Sequence, residues 1–248
     1  MSEEILVEIR DFLSPRGFEC APFKVQWYNE VVQSAFRLRY PPDTLAVSII
    51  STPSMFEKTF KPFVASTDWT NRSESPSDPL DRCIHEQLEE ASRRLADRGF
   101  NVDIIHDYDL DFTRKPRILV QTAGHVSGQA YYYQRSHVTA SAPWPTNKPI
   151  YGVSIHPKYG GWFAFRGVLI FRDVAVELKR REPEDVVSTN EKRIELLEKF
   201  NSSWEDFQYR DVVPVEERYS DEQKAYFAAT PGAARRKLLG LPSLNDVN

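Results

Sequence analysis

QTAGHVSGQAYYYQR (121–135) and SIHPKYGGWFAFRGV (154–168) decide how this chain is read. Within fewer than fifty positions they place a tyrosine triplet, two glycine-spaced turns, two histidines and an arginine inside an apolar run. Such a mixture is poor core material and good material for the wall of a large pocket. The spacing of β-branched and aromatic residues predicts strands at about 100–106, 117–122, 130–134, 150–156 and 162–171. Strands gathered mid-chain, with helices at both ends, predict an α+β layer rather than a doubly wound sheet.

Outward from this centre the signals alternate. Ile5, Leu6, Ile9, Phe12 and Leu13 recur at helical spacing over 3–13, opened by Ser2 and ended by Pro15 and Gly17. TLAVSII (44–50) reads as a buried strand, and Thr52-Pro53 as the start of a short helix. The polar stretch 65–78 reads as a surface loop. Asp78-Pro79 opens a helix with Leu80, Ile84, Leu88, Ala91 and Leu95 on one face, closed by Gly99. Beyond about 188 the chain turns helical to about 241, with capping-box patterns at Ser188-x-x-Glu191 and Ser220-x-x-Gln223. No repeat marks a boundary, so a single domain over 1–248 is expected.

Composition excludes several classes. The 248 residues carry 32 basic and 36 acidic side chains, a formal charge of -4, which gives no electrostatic case for nucleic acid. No apolar run is long enough to span a bilayer, and MSEEILVEIR lacks the apolar core of a secretory signal. Cys20 and Cys83 alone make no disulfide framework, so a cytoplasmic location is expected. Any thiol the chemistry requires is then to come from outside.

The motifs divide between structure and chemistry. Gly160-Gly161 matches neither GxGxxG nor GxxxxGK[ST], and a tight turn feeding a strand is the better reading. His125 in HVSG resembles the core of the cobalamin-binding DxHxxG motif, but Ala123 stands at the aspartate position. Without that carboxylate to orient it, a histidine hydrogen-bonded within the fold is favoured over a cobalt ligand. His156 lacks metal-ligand spacing, and there is no G-x-S-x-G elbow. Tyr131, Tyr132 and Tyr133 alternate between the faces of a strand, so at most two point the same way. Either they pack a sheet, or Tyr132 with Gln134 walls a cavity for a ligand apolar in its plane and polar at its rim. Arg166, inside WFAFRGVLIF, needs an anionic partner, an internal carboxylate or a ligand's. Arg210 poses the same question, with Asp211 the nearer answer.

The chain resembles the cobalamin-processing CblC (MMACHC) family over nearly its whole length. The likeness is carried by GFECAPFKVQWYNE (17–30), LAVSIISTPSMF (45–56), QTAGHVSGQAYYYQR (121–135) and IHPKYGGWFAFRG (155–167). It continues through ELLEKFN (195–201), YRD (209–211), ERYSDEQKAYF (217–227) and LLGL (238–241). Vertebrate members carry a proline-rich tail after this last block, which does not follow here.

The resemblance implies a flavin-reductase-like (nitroreductase-like) fold with a mainly antiparallel central sheet, holding base-off cobalamin. It implies glutathione-dependent dealkylation of alkylcobalamins to cob(I)alamin, and decyanation of cyanocobalamin with reduced FMN or FAD. It implies corrin contacts from Asp107, Ile118, Leu119, Val120, Gln121, Tyr132, Tyr133, Gln134, Ser154 and Phe165. Arg166, Arg210 and Arg235 match the residues that hold glutathione and activate its thiolate. Ser154 stands where vertebrate members have cysteine, so no thiol role is expected there. The implied protein partners are an MMADHC-like protein and methionine synthase with its reductase. A flavin-dependent reductase of another small molecule, or a B12 chaperone without turnover, are the alternatives.

Overall fold

A computed structural model describes residues 2–67, 78–139 and 142–241. The first helix, α1 (Ser2–Leu13), buries Ile5, Leu6, Ile9, Phe12 and Leu13 as their spacing predicts. β1 (Phe18–Lys24) leads directly into α2 (Val25–Val31), and β2 (Thr44–Ser51) follows. A π-helical turn at Phe56–Phe60 opens α3 (Lys61–Ser66), so the short helix expected from Thr52-Pro53 begins a few residues later. α4 (Pro79–Ala96) has Asp78 as its cap, the side chain accepting from the Leu80 N–H at 3.0 Å. Of the polar stretch 65–78, residues 68–77 lie outside the described residues.

β3 (Val102–His106), α5 (Val120–Val126), β4 (Tyr131–Tyr133), β5 (Val153–Ile155) and β6 (Ala164–Ala175) make up the middle of the chain. The C-terminal section carries α6 (Asn190–Ser203), α7 (Asp221–Ala228) and α8 (Ala233–Leu238). Ser220 caps α7 as predicted, whereas α6 is capped by Thr189 rather than Ser188.

The main sheet has the order β1-β2-β6-β3, antiparallel throughout, and β4 pairs with β5 in a separate two-stranded sheet. The architecture is α+β. Every residue of β2 is buried, because helices cover both faces. Leu45, Val47 and Ile49 pack toward α1 and α4, while Ala46, Val168 and Ile170 pack toward α2 and α5. β1 gave no strand signal because Pro22 interrupts it. Pro22 is tolerated because β1 is an edge strand of this sheet.

One expected strand is a helix. Residues 117–122 do not pair, and from Val120 the chain turns into α5. The apolar run Ile118-Leu119-Val120 fits either state, but Val120, Ala123 and Val126 recur three apart and press on the α2 side of the sheet. The Leu119 N–H donates to the buried Tyr28 hydroxyl at 2.9 Å, so the helix entrance is fixed from the facing element.

Candidate functional site

A cleft of about 410 Å3 opens where α2, the segment after β3, α5 and β4 meet. Asp107, Ile118, Leu119, Val120, Gln121, Tyr132 and Gln134 all line it, brought together from three separate segments. The 118–121 stretch reaches the cleft as a bent entry and the first turn of α5, not as the strand expected. Asp107 follows directly on β3, and burial raises its carboxyl above the ordinary range, opposed by the Arg166 charge.

Tyr132 and Gln134 share a side through the two-residue period of β4. Tyr133 faces the other way and is fully buried. Its hydroxyl donates to Asp185 at 2.8 Å and accepts from the Val187 N–H at 2.8 Å. The Tyr133 side chain therefore ties β4 to the segment before α6 and stands outside the cleft lining. Tyr133→Phe should cost about 1–3 kcal/mol of stability by leaving the Val187 N–H unsatisfied, yet leave ligand affinity unchanged. Urea unfolding and a ligand titration on the same variant check both halves.

His125 is placed by the fold as an acceptor. Its Nδ1 takes the Tyr132 N–H at 3.1 Å, and its ring stands edge-on to Tyr131 at 5.0 Å. The imidazole thus links α5 to β4, two of the walls of the cleft.

A smaller cavity of about 120 Å3 is lined by Gln121, Ser154, Phe165 and Arg210, with Gln121 common to both spaces. Ser154 Oγ and Arg210 Nε are buried there without a hydrogen-bond partner. Arg210 does not pair with Asp211, contrary to the simplest expectation. Asp211 instead accepts from Trp162 Nε1 at 2.7 Å and Arg218 Nε at 2.8 Å. Arg210 donates to the Gly161 carbonyl and lies 5.1–5.5 Å from the ring centres of Trp162, Phe207, Tyr209 and Tyr219.

Gly160 and Gly161 form the tight turn predicted, closed by a bridge between His156 and Gly160. A Cβ at Gly161 would come 2.8 Å from Arg210 Cγ. The glycines therefore admit Arg210 rather than a phosphate.

Arg166 and Arg235 line neither space. Arg166, 5% exposed, donates from Nε to Ser51 Oγ at 2.8 Å, and its Nη2 is buried without a partner. Arg235 has the internal carboxylate that was weighed for the other two: Asp78 Oδ2 at 3.3 Å. It also lies 4.9 Å from the Tyr226 ring centre. Both arginines act on the first turn of α4. Sequence reasoning gave no role to Val31, Val32, Gln33, Phe36, Pro116 or Thr122, which complete the cleft. The resemblance block at 17–30 ends just short of the first of them.

Burial pushes His106 down to about 4 and also lowers His125 and His137. Between pH 7 and 5 the unfolded chain takes up protons on these rings that the folded chain refuses, so stability falls with pH. Burial pushes Asp81 up to about 6 and raises Asp107, which works in the opposite sense. The large downward shift at His106, with His125 and His137 acting in the same sense, should outweigh the two carboxyls and leave a net loss of stability at pH 5. Urea midpoints at the two pH values measure it, and a gain at pH 5 would contradict it.

Among the described residues, no group of three His, Cys, Asp or Glu side chains could hold a metal ion. No helix among them is long and apolar enough to cross a membrane.

Residues 17–239 match the family model described as MMACHC, methylmalonic aciduria and homocystinuria type C. A Gallus gallus protein named cyanocobalamin reductase / alkylcobalamin dealkylase is 51% identical over 247 residues, covering 99% of this chain and 100% of its own. The Homo sapiens protein of the same name is 48% identical, covering 96% of this chain and 82% of its own. A crystal structure of a C. elegans B12-trafficking protein CblC superposes with a TM-score of 0.83 at 37% identity, over 96% of this chain and 95% of that one.

Proposed function

The chain belongs to the methylmalonic aciduria and homocystinuria type C (MMACHC) family, and from that premise we propose that it is a cobalamin-processing enzyme, a cyanocobalamin reductase and alkylcobalamin dealkylase. The observation that carries this reading is the convergence of Asp107, Ile118–Gln121, Tyr132 and Gln134 on one cleft. A corrin is a wide apolar plate edged with amides. Ile118, Leu119 and Val120 suit its face, while Asp107, Gln121 and Gln134 suit its rim as acceptors and donors. Ser154 and Phe165, in the cavity that Gln121 joins to the cleft, extend the same surface. Tyr133 contributes by holding β4 in place.

In dealkylation, the thiolate of glutathione attacks the cobalt-bound carbon from the side opposite cobalt. The carbon–sulfur bond forms as the cobalt–carbon pair stays on the metal, giving cob(I)alamin and an S-alkylglutathione. Base-off binding leaves cobalt one donor short and eases this departure. Arg166, Arg210 and Arg235 hold the carboxylates of glutathione in guanidinium forks and favour its thiolate. The chain's own thiols suit this role poorly, since burial pushes both Cys20 and Cys83 up to about 12.

In decyanation, cobalt gains an electron and cyanide leaves with its bonding pair. Reduced FMN or FAD supplies the electron. Arg210 fills the Gly160-Gly161 turn, which therefore makes no cradle for a flavin phosphate, and flavin is read as a visiting donor rather than a resident cofactor. The antiparallel sheet with helices on both faces is read as a flavin-reductase (nitroreductase)-like layout, one processing domain over 1–248. Delivery to an MMADHC-like protein and to methionine synthase with its reductase, in the cytoplasm, completes the proposal.

The test is anaerobic incubation with methylcobalamin and glutathione. Visible spectra should show cob(I)alamin, and mass spectrometry S-methylglutathione. Binding without turnover would make the protein a carrier only, and failure to bind any cobalamin would end the reading.

A further inference from the structure

The first turn of α4 gathers charge that the chemistry above leaves unused. Asp78 is fully engaged: its Oδ1 accepts from the Leu80 N–H and the Tyr226 hydroxyl, each at 3.0 Å. Its Oδ2 accepts from the Gly232 N–H at 3.2 Å and from Arg235 at 3.3 Å. Asp81, three residues on, has no hydrogen bond or ion pair of its own among the described residues. It lies in the field of both Arg166 and Arg235.

The second observation lies beneath this turn. Arg166 is 5% exposed, and its Nη2 is buried without a partner. His106 Nδ1 and the Tyr108 hydroxyl are buried and unpaired nearby, their rings stacked at 4.9 Å. Buried guanidinium nitrogens and hydroxyls are rarely left unsatisfied, so each points to something that binds there. The arrangement suits neither a bare anion nor a bare cation. A free carboxylate in the field of Arg166, whose Nη2 has no partner, complements an amino-acid zwitterion, carboxylate toward arginine and ammonium toward aspartate. Burial, and then Asp78, push Asp81 up to about 6, and an ammonium neighbour would return it to its charged form.

We propose that Asp81 holds the α-ammonium of the γ-glutamyl end of the thiol co-substrate, with the adjoining α-carboxylate on Arg166. The assignment rests on the glutathione reading above and adds the residue that selects an unmodified amino terminus. Asp81 is here a binding residue that determines specificity.

Glutathione and N-acetylglutathione share the thiol and both carboxylates but differ in the ammonium, so the pair isolates the interaction. With methylcobalamin under anaerobic conditions, the wild-type protein should show a kcat/KM about 10-fold to 100-fold higher for glutathione. Asp81→Asn should lose that factor with glutathione, mostly in KM, while its use of N-acetylglutathione stays the same. Asp81→Glu should recover part of the preference. Equal use of the two thiols by the wild-type protein overturns the assignment, whether or not the variants fold. A preference retained in Asp81→Asn also overturns it. No turnover with either thiol removes the glutathione reading itself, and this assignment with it.

Discussion

Arg166→Ala is expected to lower kcat/KM for glutathione-dependent dealkylation of methylcobalamin about 100-fold, while the affinity for methylcobalamin changes by less than about 2-fold. The asymmetry follows from where the side chain points. Arg166 leaves β6 toward Ser51 and the first turn of α4, and it does not line the cleft that Asp107, Tyr132 and Gln134 share. Its Nη2 is held ready without an internal partner, so removing it leaves no protein acceptor stranded at that end. The loss then falls on the ligand's carboxylate, where a charge-assisted pair is worth about 1.5–3 kcal/mol. Arg166→Lys keeps the charge but not the fork, and should fall between wild type and Arg166→Ala. Single-turnover kinetics and a spectral titration separate the two quantities. Equal losses in both would make Arg166 a structural residue.

How much of this was legible in the sequence depends on the range of the interaction. α4 was readable because its cap, its apolar face and its end all lie within one short stretch. β2 was readable as an unbroken apolar run, and the alternation of Tyr131–Tyr133 already required that Tyr132 and Tyr133 part company. α5 was not, because an apolar triplet such as Ile118-Leu119-Val120 carries no period of its own. What makes it helical is contact with α2 and with Tyr28, 91 positions away. The same limit hid the partner of Arg235, since Asp78 lies 157 positions from it. Cleft residues from three segments could be grouped beforehand only through the family likeness. Periodicity places a side chain on a face of its own element, but it does not say which other element that face meets.

Gly124→Ala should leave stability nearly unchanged or slightly higher, yet weaken cobalamin binding by at least about 10-fold. Gly124 lies inside α5, where alanine is favoured over glycine by about 1 kcal/mol of helix propensity. A Cβ at this position would stand 2.2 Å from Cε1 of Phe165, so the ring must move. The contacts are with the far end of the Phe165 ring, and the nearest open space is the small cavity the same ring lines with Gln121, Ser154 and Arg210. The added methyl thus displaces an aromatic edge into the volume a ligand would use, and the fold gives way at little energetic cost. The expected signature is a melting temperature at or above wild type with a raised dissociation constant for methylcobalamin. A destabilised variant with unchanged affinity would show that Phe165 is locked and the helix yields instead. Gly124→Ala with Phe165→Leu removes the ring atoms in conflict, and should bind methylcobalamin as tightly as Phe165→Leu alone if displacement of Phe165 is the cause.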